Sequence, residues 1–210
     1  MTYLLPSVVQ DAVPSLRAPG ATGFALACAE RLLPSYHRYC HEYGCGKWQV
    51  VRRQADELWI QLHDGIIAPD EYFVSSYSSL APSDNVPKAA RTPLDALAEN
   101  TILALGAAWE CYRDADPGKA LWSSQQGYEA ADYLAQRLVG IDFRDPAGER
   151  DLVSSGYVQR ELKAQWNDIL TLNRLDDGEG IPAEVLQRLH HESAAHAIAS
   201  DDELDQLIRR

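Results

Sequence analysis

The sequence predicts an all-α fold, a single-domain bundle of about seven to nine helices with no sheet. Several stretches repeat apolar residues with the 3.6-residue period of a helix, and none sustains the two-residue alternation of a half-buried strand. The 210 residues suffice for one sizeable core, and the 46% hydrophobic and 24% charged content excludes disordered and low-complexity classes. Turn signals recur at short intervals without a linker, so residues 1–210 are predicted to form one domain.

The first helical signal covers the stretch from Phe24 to Tyr43, which Pro34 interrupts. Proline has no N–H for the helical hydrogen-bond ladder, and its ring clashes with the preceding turn. We therefore expect two helices here, broken or kinked at Pro34.

The next helical signal follows Gly44 and Gly46 and ends near Gly65. Its apolar face consists of Trp48, Val51, Ala55, Leu58, Trp59 and Leu62. A further helix is expected over Asp70–Leu80.

The clearest helix is predicted over Pro93–Arg113. Its apolar residues fall on one face: Leu94, Leu97, Ala98, Ile102, Leu105, Ala108, Trp109 and Tyr112. Thr92 can accept hydrogen bonds from the first backbone N–H groups, proline is tolerated at the first position, and Asp95 places negative charge in the first turn.

The carboxyl-terminal half predicts four more helices. Three are expected over 119–138, 158–172 and 183–199. Ser200 and Glu203 have the spacing of a capping box, which indicates a short last helix. Residues 173–210 thus form the predicted acidic C-terminal helices.

Acidic residues outnumber basic ones by 31 to 19, which gives a net charge of −12. An acidic surface opposes binding to nucleic acid and to anionic membranes. Residues 1–105 have a net charge of −3 and residues 106–210 a net charge of −9, and acidic clusters lie at Asp176, Asp177 and Glu179 and at 201–205. These clusters are either a solvated face or a docking surface for a basic protein.

The chain is predicted to be cytoplasmic, without a membrane span. Its longest stretches without a charged residue are 12 residues long, whereas a membrane-spanning helix needs about 20 apolar residues. Its start lacks the basic and apolar regions of a secretory signal. The four cysteines, which include no CxxC pair, are interpreted as reduced thiols: Cys28, Cys40, Cys45 and Cys111.

No catalytic, metal or cofactor site is predicted. His37, His41 and two nearby cysteines are the best metal candidate, but they lack the paired spacing of zinc motifs. His191 and His196 are five residues apart, which is wrong for a zinc-protease helix, and we expect Glu192 and His196 to form an exposed pair. No P-loop, GxGxxG or GxSxG motif occurs.

One polar group stands apart from the surface charges. Glu30 and Arg31 interrupt the apolar run from Phe24 to Leu33, and further charges recur on the next helix, at Arg52, Arg53, Asp56 and Glu57. Buried charges must be paired, because an unpaired one costs several kcal/mol. The group is therefore either a salt-bridge network between helices or the lining of a polar cleft for a ligand.

The same residues carry a family resemblance. The matching positions lie in three blocks. The first consists of the run from Phe24 to Cys40 with Glu30, Arg31 and Pro34, followed by Gly44-Cys45-Gly46, Arg52-Arg53 and 56–59. The second consists of 81–84 and 93–96, and the third of Val158, Glu161, Gln165 and Trp166. The pattern resembles the YjaG-like family of bacterial all-helical proteins, known as domain of unknown function 416. The resemblance covers about residues 22–172 and implies a single helical domain but no established reaction.

Three hypotheses of function remain open. The leading hypothesis is a non-enzymatic cytosolic protein that binds another protein, in its concrete version an immunity or antitoxin-type protein that neutralises a basic toxin. The small size, the acidity and the lack of catalytic motifs favour it. The alternative is a small-ligand-binding protein or enzyme with a polar cleft around Glu30, Arg31, Arg53 and Asp56. A homo-oligomeric scaffold is a third hypothesis.

Overall fold

A computed structural model describes residues 7–44, 47–64, 80–82, 91–141, 146–174 and 180–209. These ranges contain nine α-helices and no strand, which confirms the all-α prediction. The helices are α1 (Ser7–Ala12), α2 (Ala18–Tyr43), α3 (Trp48–Asp64), α4 (Pro93–Asp114), α5 (Pro117–Leu134), α6 (Pro146–Val153), α7 (Gly156–Leu172), α8 (Ala183–Ala195) and α9 (Asp201–Ile208). None of the described helices is both long and apolar enough to span a membrane.

Helix α2 is the centre of the bundle. It is buried on nearly all sides over residues 20–33, where Phe24 and Leu26 are inaccessible to solvent. Helices α3, α4, α5, α7 and α8 all pack against it. A helix surrounded in this way must be apolar around its whole circumference, which explains the long uncharged run that precedes Glu30.

The prediction of a break at Pro34 is wrong, because α2 continues through the proline to Tyr43. Two carbonyl groups near the proline accept hydrogen bonds from outside the helix. Ile198 N–H donates to Arg31 O at 2.9 Å, and the Thr101 hydroxyl is shared between Leu32 O at 3.2 Å and Leu97 O of its own helix at 2.8 Å. Tertiary packing and these external donors therefore hold the helix together where its own ladder is interrupted.

The helices that capping residues or glycines mark in the sequence begin or end close to their predicted positions. Thr92 caps α4 as expected, and Asp95 completes a capping box that was not predicted, in which Thr92 and Asp95 each bond the other's backbone N–H. Helix α9 starts with the same arrangement between Ser200 and Glu203. Helix α3 ends at Asp64, one residue before the predicted Gly65. The predicted helix over 70–80 lies outside the described residues, except for Leu80.

Two helix boundaries differ from the sequence prediction. Helix α8 stops at Ala195 rather than Ala199, because Ile198 turns its N–H towards the Arg31 carbonyl and is buried with Ala199. Helix α5 begins two residues early, at Pro117, and continues as a π-helical turn over Ala135–Val139 to Gly140. Helices α1 and α6 were not predicted.

The hydroxyl of Thr101 provides a test of the external support near Pro34. We expect Thr101→Val to lower the free energy of unfolding by about 1 kcal/mol, because the Leu32 carbonyl loses a buried donor from α4. The matched control is Thr22→Val, since the Thr22 hydroxyl bonds Ala18 O of its own helix and the sulfur of Cys111 on α4 but no carbonyl group of another helix. Urea unfolding measures both variants, and equal losses would contradict this role of Thr101.

Candidate functional site

A buried arginine links the central helix to α7. Arg31 is only 2% exposed, and its guanidinium donates to both oxygens of Glu161, at 3.0 Å from Nε and 3.1 Å from Nη2. Its Nη1 donates to Asp168 Oδ2 at 2.7 Å. We call these three residues the Arg31 cluster. The planar, forked guanidinium suits this geometry because it can serve two carboxylates at once.

Helices α5 and α7 hold the carboxylates in place. Glu161 and Asp168 are seven residues apart on α7 and therefore face the same side of the helix. Gln165, which lies between them, donates to Glu161 Oε1 at 2.8 Å and to Ser124 O on α5 at 3.0 Å. A Cβ at Gly127 would lie 2.6 Å from Glu161 Oε1, so only glycine leaves room there for the carboxylate.

The Arg31 cluster has two carboxylates for one guanidinium. Burial raises the pKa of Asp168 although Arg31 acts to lower it, and Glu192 raises it further. Burial acts to lower the pKa of Arg31, but Glu161 and Asp168 outweigh it and hold that pKa well above its usual value. With all groups ionised, the cluster carries one excess negative charge in the interior.

A cleft of about 430 Å³ opens above the Arg31 cluster, between α7 and α8. Arg31 and Asp168 form its buried floor. The more exposed lining comes from α7, with Arg160, Lys163 and Asn167, and from the α8 end, with Glu192 and His196. Asp168 Oδ2 is bonded to Arg31, whereas Oδ1 has no donor in the described part of the chain.

The side chains that line this cleft differ in whether they form hydrogen bonds or ion pairs with the rest of the protein. Arg160 Nη2 donates to Ile198 O at 3.1 Å and lies 3.6 Å from Glu203 Oε1. The side chains of Lys163 and Glu192 make no ion pair within the described ranges. His196 Nδ1 lies 2.6 Å from the main-chain oxygen of Glu192, so the expected side-chain pair between these residues does not form.

The other buried charge of α2, Glu30, belongs to a separate group. Arg52 Nη2 donates to Glu30 Oε2 at 3.0 Å, and the indole N–H of Trp59 donates to the same oxygen at 3.1 Å. His190 stacks on Trp59 with ring centroids 4.6 Å apart, and its Nε2 lies 3.7 Å from Glu30 Oε2. A second cleft of about 610 Å³ adjoins this group and is lined by Trp59, His190 and Asp56 among others.

The described residues contain no group of three or more His, Cys, Asp or Glu side chains that could hold a metal ion. His37 packs its ring against Trp48 at 4.7 Å, and Cys45 lies outside the described residues. Burial raises the pKa of Cys28 well above its usual value, although the thiol lies 3.4 Å from Arg31 Nη2. Burial therefore disfavours the thiolate, which is the reactive form of a cysteine, at Cys28.

A family model described as "Protein of unknown function (DUF416)" matches residues 9–199 of the chain. The chain belongs to the DUF416 family. The match extends beyond both ends of the region, 22–172, over which the sequence resembles the family. It includes the Arg31 cluster and both clefts.

A crystal structure of a DUF416 family protein from Shewanella baltica OS155 resembles this chain with a TM-score of 0.70 and 15% sequence identity. The similarity covers 88% of this chain and 92% of that one. At this identity it shows a shared DUF416 fold and nothing about function. No curated protein matches the chain.

The structure separates the site residues that the sequence placed together. Glu30 and Arg31 bind different partners, and Asp56 is exposed, pairs with Arg52 at 2.8 Å and lines the second cleft. Arg53 is exposed and lies 3.7 Å from Glu57, away from both clefts. Asp176, Asp177 and Glu179 lie outside the described residues.

Sequence reasoning named Arg52, the partner of Glu30, among the charges of the next helix, but it missed Glu161 and Asp168 as the partners of Arg31. Glu161, Gln165 and Asp168 recur at four- and three-residue intervals on α7, so they share one face with the apolar Val158, Ile169 and Leu172. A polar stripe within the apolar face of a helix was the available signal, because such a stripe needs buried partners.

Substituting the two neighbouring arginines of α3, Arg52 and Arg53, tests which of them pairs with Glu30. We expect Arg52→Ala to lower the free energy of unfolding by about 2–4 kcal/mol, because Glu30 is left as a buried carboxylate without its cation. Arg53→Ala removes the same side chain one residue away, and we expect a change within about 0.5 kcal/mol. Denaturant unfolding of both variants is the measurement, and similar losses would contradict the assignment.

The raised pKa of Asp168 predicts a pH dependence of stability. The pKa of Asp168 is higher in the folded chain than in the unfolded chain, so its protonation contributes favourably to the free energy of unfolding. This contribution is fully present below the unfolded pKa and is lost as the pH rises through the folded pKa. Asp168→Asn removes this titration and keeps an oxygen for Arg31. Relative to the wild type, the variant should therefore gain stability as the pH rises from about 4 towards 7. Unfolding curves over this range measure the difference, and a relative loss with rising pH would contradict the prediction.

Proposed function

We propose that the chain binds a small polar ligand in the cleft between α7 and α8. The observation that carries the proposal is Asp168, whose side chain is buried and ion-paired at the cleft floor while its Oδ1 has no donor in the described structure. This oxygen is not sealed in the interior but is accessible to solvent at the cleft floor. A ligand with a hydrogen-bond donor can therefore bind it, and the ion pair with Arg31 holds the carboxylate in position.

Two further properties of the cleft support this proposal. Its volume of about 430 Å³ falls within the usual range of small-molecule sites, about 300–1,000 Å³. Its floor combines a shifted carboxyl pKa with a specific charge partner, which is a common property of functional sites.

We propose binding rather than catalysis. The hydroxyl of Ser193 donates to His190 O within its own helix, and the His196 ring bonds a main-chain carbonyl. These two cleft residues therefore do not form a nucleophile and base pair. The Cys28 thiol beneath the cleft is held protonated by burial.

A second candidate is protein binding of the immunity or antitoxin type, in the cytoplasm, with a basic partner. The net charge of −12 and the exposed Asp201 and Asp202 favour it. Two other acids of that cluster have structural roles, because Glu203 caps α9 and Asp205 pairs with Arg38 at 2.6 Å. The acidic surface near α9 is thus smaller than its sequence suggests, and the cleft is the better-supported site.

A steric block tests whether ligands bind in this cleft. Asn167 is an exposed residue of the cleft lining, and Asn167→Trp would fill the space without disturbing the floor. Ala194→Trp is the matched control, because Ala194 is exposed on α8 and lies outside the lining. We expect at least one of acetate, phosphate, methylammonium, glycine, diglycine and 6-aminohexanoate to raise the Tm of the wild type and of the control, but not of Asn167→Trp.

Thermal unfolding of the three proteins at millimolar ligand is the measurement. If no compound of the panel raises the Tm, or if the rise persists in Asn167→Trp, the small-ligand function is wrong. Unfolding curves without ligand establish that both tryptophan variants fold.

A further inference from the structure

We infer that the ligand of the cleft between α7 and α8 is a small zwitterion, with its ammonium group at Asp168 and Glu192 and its anionic group at Lys163 and Arg160. The inference rests on the proposed function and adds the chemical class of the ligand. Its basis is that the cleft has an acidic end and a basic end.

The acidic end combines the excess charge of the Arg31 cluster with a second carboxylate. Arg31 neutralises one of Glu161 and Asp168, and Asp168 Oδ1 has no donor in the described part of the chain. Glu192 lines the same cleft from α8 and has no ion pair there. Both carboxylates are accessible from the cleft, and an ammonium group there would form charge-assisted hydrogen bonds with them.

The basic end lies towards the start of α7. Lys163 precedes Asp168 by five residues, about 7.5 Å along the helix, and Arg160 precedes it by eight, about 12 Å. Arg160 donates to Ile198 O and lies 3.6 Å from Glu203 Oε1, so Glu203 offsets part of its charge and Lys163 is the main cation of this end. Lys163 has no ion pair in the described structure and can turn its flexible side chain towards an anion.

A ligand with a single charge fits only half of this lining. A simple anion would be repelled by Asp168 and Glu192, and a simple cation would be repelled by Lys163 and Arg160. Lys163 and Asp168 are about 7.5 Å apart along α7, which is less than the screening length of about 10 Å at 0.1 M salt, so both charges act on a ligand bound between them. The axial separation of Lys163 and Asp168 favours molecules whose two charges are well apart, such as ω-amino acids and short peptides.

Calorimetric titration of the full chain with three molecules of similar length tests the inference. The zwitterion is 6-aminohexanoate, and hexanoate and hexylamine each carry one of its charges. We expect the zwitterion to bind at least tenfold more tightly than either, because each charged end adds a charge-assisted hydrogen bond. Diglycine is a second zwitterion and should also bind.

Single-charge variants locate the two ends. Lys163→Gln and Glu192→Gln change exposed side chains of the lining, and each should weaken 6-aminohexanoate about tenfold. Arg53→Gln and Glu57→Gln remove the same charges from exposed positions on α3 and should leave its affinity unchanged. Asp168→Asn should weaken it by about 10- to 100-fold, and the two exposed variants keep the test valid if Asp168→Asn does not fold.

The outcomes separate this inference from the proposed function. If hexanoate or hexylamine binds as tightly as 6-aminohexanoate, or if the Lys163 and Glu192 variants bind like the α3 controls, the zwitterion inference is wrong and the small-ligand function stands. If none of 6-aminohexanoate, diglycine and glycine binds while acetate, phosphate or methylammonium still requires an open cleft, the zwitterion inference is again wrong and the small-ligand function stands. If nothing in the panel binds, both are wrong.

Discussion

Burying the guanidinium of Arg31 on the central helix requires carboxylates from a second helix, and this requirement places α7 against α2. Glu161 and Asp168 meet it with three hydrogen bonds at 2.7 to 3.1 Å. Removing a single partner of such a pair leaves an uncompensated charge in the interior, so the packing of α2 and α7 depends on all three residues together. Gly127 and Gln165 serve the same contact, the former by leaving space and the latter by bonding Glu161.

The cleft is a consequence of this pairing. Arg31 can neutralise only one of its two carboxylates, and Asp168 is the one that also lines an opening to solvent. Asp168 therefore belongs both to the ion pair that joins α2 and α7 and to the candidate binding site. Ile198 joins them from the other side, because its N–H bonds the Arg31 carbonyl while its carbonyl accepts from Arg160 at the cleft rim.

Much of the fold was predictable, because its signals are local. The capping boxes of α4 and α9 need only residues three apart, and the apolar face of α3 is visible in 17 consecutive residues. Pro34 and the end of α8 were mispredicted for the opposite reason. Both depend on hydrogen bonds between residues more than 60 positions apart, from Thr101 to Leu32 and from Ile198 to Arg31.

The sequence by itself determined that Glu30 and Arg31 are charges within an apolar helix, and hence that they need partners. Only the tertiary structure decided which partners they have, and it assigned Arg52 to Glu30, and Glu161 and Asp168 to Arg31. Helix periods and caps follow from neighbouring residues and can be read along the chain. The partner of a buried charge and the cleft beside it are both set by how the helices pack. Both depend on distances in space, which the linear order of residues does not contain.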